Sequence, residues 1–144
     1  MQVSVVLQTK GSEVVTVPAD ASIAEVVSVL ATHEIGAVVV TDDGESIRGV
    51  LSERDIVRAL ARDGGLEGTA AASTLMTADV VTCKLETTLD ELMGTITERR
   101  VRHVPVLVDG RLRGLVSIGD VVKHQIATLE HETKAMQDYI AHPY

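Results

Sequence analysis

Apolar and polar positions along the chain fall into blocks whose order occurs twice. The β-branched run at 14–17 predicts a short strand. Ser22, with Glu25 three residues later, has the spacing of a capping box, and the helix it opens places Ile23, Val26, Val27 and Leu30 on one face expected to be buried. Residues 37–41 predict a second strand, Asp42-Asp43-Gly44 a hairpin turn, and residues 47–51 a third strand. Ser52 then stands where it can cap a helix over 53–62.

A shift of 66 positions superimposes Val14-Val15-Thr16 on Val80-Val81-Thr82, Glu25 on Glu91, Val38 on Val104, Val40 on Val106 and Asp43-Gly44 on Asp109-Gly110. After Gly44 the first copy holds one extra residue, so Gly49, Ser52 and Asp55 match Gly114, Ser117 and Asp120 at a shift of 65. An insertion in a hairpin loop is among the least costly changes a fold can absorb. The second copy accordingly predicts a strand over 80–83, a helix over 88–99, strands over 104–108 and 112–117 joined at Asp109-Gly110, and a helix from Ile118 onward. Each copy is a β-α-β-β-α unit of about 50 residues, too small to stand well alone. Two such units packed face to face as a pseudo-twofold pair are expected, giving a mixed α/β (α+β) fold class.

Three stretches lie outside the repeats. Residues 3–8 read as a short helix, with a strand the alternative. Residues 63–73 are rich in Gly and Ala and read as the linker. The last helix continues past its unit, with Val122, Ile126, Leu129, Thr133, Met136 and Ile140 spaced 4, 3, 4, 3 and 4 apart. That stripe is expected to form a homodimer contact rather than fold back on its own unit. The expected division is 1–68 for the first repeat with its N-terminal segment, 69–124 for the second, and 125–144 for the helical extension.

Composition narrows the chemistry. With two Tyr and no Phe or Trp, the core must be built from Val, Ile, Leu and Ala. The single Cys83 allows no internal disulfide, and no apolar run reaches the roughly 18 residues of a membrane span, so a cytoplasmic protein without membrane attachment is expected. A net charge of −8 argues against general nucleic-acid binding, although Arg99, Arg100, Arg102 and His103 form a local basic cluster. Enzyme signatures such as a Walker loop, a Rossmann glycine fingerprint, HExxH or GxSxG are missing, and the expectation is a binding protein rather than an enzyme.

The doubled unit, the junctions GVLSERD (Gly49 to Asp55) and GLVSIGD (Gly114 to Asp120), and the strand Arg102-His103-Val104-Pro105-Val106 together resemble a tandem pair of CBS domains, the Bateman module. The likeness covers about Lys10 to His124. It implies two inter-repeat clefts for adenosyl ligands such as AMP, ATP or NAD(H), with no metal required, in a regulatory module that signals to a protein effector. Asp55 and Asp120 are expected to hold ribose hydroxyls, and Ser52 and Ser117 to face phosphate. Matched residue by residue, one cleft would combine Ser117, Gly119 and Asp120 with Lys10, Val15, Ile35, Gly36 and Ala37. The other would combine Ser52, Arg54 and Asp55 with Met76, Thr77, Val81, Val101, Arg102 and His103, and its extra cations predict the more charged or tighter-bound ligand.

Plainer roles compete with these. Ser-x-x-Asp at a helix start also serves as a cap. Arg99 and Arg100 read as a solvated face, His103 can simply pack, Pro105 shapes a strand edge, and Cys83 reads as an inert core thiol. The competing function is a ligand-independent, dimeric interaction or scaffold protein whose long C-terminal helix matters most.

Overall fold

The structure, a computed structural model, describes residues 1–62 and 65–142; Asp63 and Gly64 of the expected linker lie outside it. In chain order it contains α1 (Val3–Lys10), β1 (Thr16–Val17), α2 (Ile23–His33), β2 (Ala37–Val40), β3 (Gly49–Ser52), α3 (Glu53–Arg62), α4 (Ala72–Leu75), α5 (Leu89–Arg99), β4 (His103–Val108), β5 (Arg111–Ser117) and α6 (Ile118–Ala141). β1 runs parallel to β2, and β2 pairs antiparallel with β3. β4 and β5 form an antiparallel hairpin turned at Asp109 and Gly110, both at positive φ. Two mixed α/β units with a long C-terminal helix result, as the doubled pattern predicts.

The helix starts follow from their caps. Ser22 and Glu25 form a reciprocal capping box, and Thr88 and Glu91 form the same box at the start of α5. Both helices end on a left-handed residue, Glu34 and Arg100. Val27 departs from expectation: it is 45% exposed, because α2 buries a narrower stripe of Ile23, Val26 and Leu30.

Each unit completes its core with a helix from outside its own repeat. Val3, Val6 and Leu7 of α1 join Cys83, Leu89, Leu92, Ile96, Val104, Val106, Val116 and Val121 of the second unit. Ala72 of α4, with Leu66, Ala70, Leu75 and Met76, packs on the first. The short helices dock alike. Val3 N–H donates to Thr87 O and Leu89 N–H to Met1 O, while Ala72 N–H donates to Ala21 O and Ile23 N–H to Ala70 O. α4 and its docking carry no signal in the sequence pattern, where the expected linker over 63–73 runs into the first two residues of α4.

Four strands are shorter than predicted: the first keeps only Thr16–Val17 of 14–17, β2 gives up residue 41, β3 gives up 47 and 48, and the strand over 80–83 is lost. The first hairpin loop takes up residues 41–48, and within it the Asp43 carboxylate accepts from Glu45 N–H (2.8 Å) and Ser46 N–H (2.7 Å). Those two bonds hold its pKa at about 2. The strand expected over 80–83 is reduced to a bridge between Cys83 and Val106. In the first unit Val39 N–H donates to Val15 O at 3.2 Å. Pro105 and Val81 stand at the corresponding positions, and proline has no N–H to give. Pro105 still accepts from Cys83 N–H at 3.0 Å, so pairing survives there while Val81 and Val80 leave the ladder. Burial pushes the Cys83 thiol up to about 11, consistent with an inert core role.

Candidate functional site

The two Ser-x-x-Asp junctions sit where a strand turns into a helix, β3 into α3 and β5 into α6. In each, the carboxylate and hydroxyl bond reciprocally. Asp55 Oδ2 accepts from Ser52 N–H (2.9 Å) and Ser52 Oγ–H (3.0 Å), and Asp55 N–H donates to Ser52 Oγ at 3.3 Å. At the second junction Asp120 Oδ2 accepts from Ser117 N–H (2.8 Å) and Ser117 Oγ–H (3.0 Å), and Asp120 N–H returns a bond at 3.2 Å. Both junctions are therefore capping boxes, and each fixes its carboxylate through one oxygen.

Each junction is tied to the start of the neighbouring strand of its own unit. Glu53 N–H donates to Gly36 O at 2.9 Å, and at the matching place Ile118 N–H donates to Arg102 O at 2.8 Å. A cavity of about 320 Å³ opens beside them. One wall carries Ser52, Glu53, Arg54, Asp55 and Arg58; the other carries Thr77, Asp79, Val80, Val81, Arg100, Val101, Arg102 and His103. Val80 and Val81, released from the ladder opposite Pro105, supply an apolar face. The volume lies within the range of about 300–1,000 Å³ usual for small-molecule sites.

Eight of the nine residues expected in the Asp55 cleft thus line one cavity; Met76 is the exception, packing instead over Gly49. Gly36, Ser117 and Gly119, expected in the other cleft, also border this cavity. Arg58 and Arg100 are additions. Arg58 follows Arg54 by one helical turn on α3, a spacing the sequence carries. Arg100, exposed and at a left-handed position, borders the cavity, and Arg99 lies 3.9 Å from Asp79 of the same wall. Among the described residues, none of Arg54, Arg58, Arg100 and Arg102 is held in an ion pair.

The Asp120 junction is placed differently. Lys10 Nζ lies 2.6 Å from Asp120 Oδ2 and also donates to Leu115 O at 2.7 Å. Val15 and Ile35 pack against the first core, and Ala37 is buried in β2. Burial works to raise the Asp120 carboxyl, yet the Lys10 ammonium and Ser117 N–H outweigh it and hold the group below its ordinary value. Between the junctions, the His103 ring lies against Gly36. Burial chiefly, then the Lys10 ammonium, lowers the His103 pKa, against the pull of Glu53 and Asp120.

Among the described residues no group of three His, Cys, Asp or Glu side chains is placed to hold a metal ion, and no helix is long and apolar enough to cross a membrane.

Comparison with known proteins agrees with the geometry. A family model described as the CBS domain matches residues 9–62 and 72–127. The fold is similar to that of the CBS-domain containing protein ATU1752 from Agrobacterium tumefaciens, 46% identical, with a TM-score of 0.83 over 87% of this chain and 99% of that one. It is similar also to the CBS domain protein PAE2072 from Pyrobaculum aerophilum, solved in complex with AMP, at 28% identity and a TM-score of 0.77 over 92% of this chain and 99% of that one. CBS domain-containing protein CBSX3, mitochondrial, of Arabidopsis thaliana is 31% identical over 129 residues, which cover 87% of this chain and 63% of that protein.

Proposed function

Because the chain belongs to the CBS-domain family and carries two copies of the domain, we propose that it is a regulatory module, not a catalyst, which binds an adenosyl nucleotide of the AMP, ATP or NAD(H) type. The supporting observation is the Asp55 cavity. It offers a fixed carboxylate for ribose hydroxyls, an apolar face of Val80, Val81 and Val101 for adenine, and four guanidinium groups for phosphate. The complex of PAE2072 with AMP supports the adenosyl class.

Arg54, Arg58, Arg100 and Arg102 together favour a ligand with more than one phosphate. Ligand passes its signal to a protein effector, and it does so only as far as its affinity differs between two arrangements of the units. A homodimer formed through α6 is the assembly proposed. Titration with adenosine, AMP and ATP tests the reading: affinity should rise with phosphate count and fall with added salt, and no binding of any of the three at millimolar ligand would contradict it.

A ligand-independent scaffold is the second reading. It draws on α6, whose apolar stripe stays uncovered within one chain, with Leu129 60% and Ile140 73% exposed.

A further inference from the structure

The two junctions are built alike but are not equally accessible, and the difference begins in the helices that complete each core. α1 and α4 dock through matching bonds up to Ser4 and Ser73, which donate from their N–H groups to Leu85 O and Ala19 O, both at 3.0 Å. Beyond that point the halves diverge. After α4 the chain extends, and Thr77 N–H donates to Val50 O at 2.9 Å. α1 instead continues as helix through Lys10. The carbonyl matching Val50, that of Leu115, receives the Lys10 ammonium at 2.7 Å in place of a backbone donor.

The same ammonium reaches Asp120 Oδ2 at 2.6 Å, an oxygen that already accepts from Ser117 N–H and Oγ–H. Asp55 Oδ2, by contrast, accepts only from Ser52 among the described residues. The Lys10 and Asp120 side chains are 34% and 22% exposed, so their contact is partly shielded from water.

We propose that Lys10 determines the specificity of the Asp120 cleft by occupying, with its ammonium, the carboxylate that a ribose would need, so that this cleft is latched while the Asp55 cleft stands open. The inference rests on the adenosyl-nucleotide reading above. A ribose entering the Asp120 cleft exchanges a charged donor for neutral ones and leaves Leu115 O without its partner, both unfavourable. The Asp55 cleft asks for no such exchange. One chain therefore fills its clefts in order, Asp55 first. Filling the second displaces the last residue of α1, a helix anchored by Val3, Val6 and Leu7 in the core of the second unit.

Calorimetric titration with AMP tests the latch in the Asp55→Ala chain, where binding at the Asp55 cleft is weakened, with and without Lys10→Met. Lys10→Ala serves as a second variant in case the methionine side chain itself fills the space. Releasing the carboxylate should tighten AMP binding by about 10- to 150-fold, the scale of one charge-assisted hydrogen bond. In the chain with Asp55 intact, either Lys10 change should raise the stoichiometry at fixed AMP from one towards two. Unchanged or weaker binding in both Lys10 variants, or no AMP binding by the Asp55→Ala chain whichever residue stands at position 10, would overturn the latch. A chain with both carboxylates intact that binds no AMP at all would instead sink the nucleotide reading, and the latch with it.

Discussion

Leu7 lies directly over Gly114: a Cβ on that glycine would sit 2.8 Å from Leu7 Cδ1. Met76 lies over Gly49 in the same way, at 2.6 Å from its Sδ. These glycines stand three positions before each junction serine, so the borrowed helices hold the strands that present Ser52 and Ser117. The two sites differ in one respect. At Gly49 a Cβ would also meet the Thr77 backbone carbonyl at 2.8 Å, whereas at Gly114 it meets only the flexible end of Leu7.

Gly49→Ala is therefore expected to cost about 1–3 kcal/mol, the usual range for overpacking, and Gly114→Ala less, because Leu7 can turn aside and Thr77 O cannot. Urea unfolding of the two variants checks the order. Equal losses would show that the backbone at Thr77 yields as easily as a leucine side chain.

His103 predicts how stability responds to mild acid. Its folded pKa is lowered from 6.5, mainly by burial and then by Lys10, with Arg102 adding to the fall and Glu53 and Asp120 opposing it. The unfolded chain then binds the proton more readily than the folded one. Stability from this group is complete above pH 6.5 and is lost as pH falls through the lower folded value. Thermal unfolding should show that His103→Gln loses less stability than the unaltered chain between about pH 7 and pH 5. Identical slopes would mean that the ring is not protected from protonation.

The extension of α6 predicts assembly. Truncation after His124 removes Ile126, Leu129, Met136 and Ile140 while leaving buried Val121 in place. Sedimentation should then give a monomer where the full chain gives a dimer, with AMP affinity retained. Loss of the dimer together with all nucleotide binding would contradict separate roles for the cleft and the tail.

What the sequence discloses and what it withholds divides along physical lines. The caps at Ser22, Thr88, Ser52 and Ser117 rest on bonds spanning three residues, so spacing alone reveals them. The repeat itself placed Asp55 and Asp120 in equivalent positions. The shortened strand at 80–83 was legible in principle, since the shift of 66 sets Pro105 against Val39 and Val81 against Val15. The docking of α1 on the second unit was not legible, because its polar face and apolar face would suit either core. Lys10 and Asp120 meet across 110 positions, which no local pattern encodes. Arg99 and Arg100 are both exposed, as a solvated face requires, and what spacing does not reveal is that Arg100 also borders the cavity.

The most direct test of the central claim is calorimetric titration of ATP into the full chain and into Asp55→Ala. Removing this carboxylate, and with it a charged hydrogen bond of about 1.5–3 kcal/mol, should weaken the tighter binding event by roughly 10- to 150-fold while the fold stays intact. ATP binding with the same affinity in both chains would contradict it.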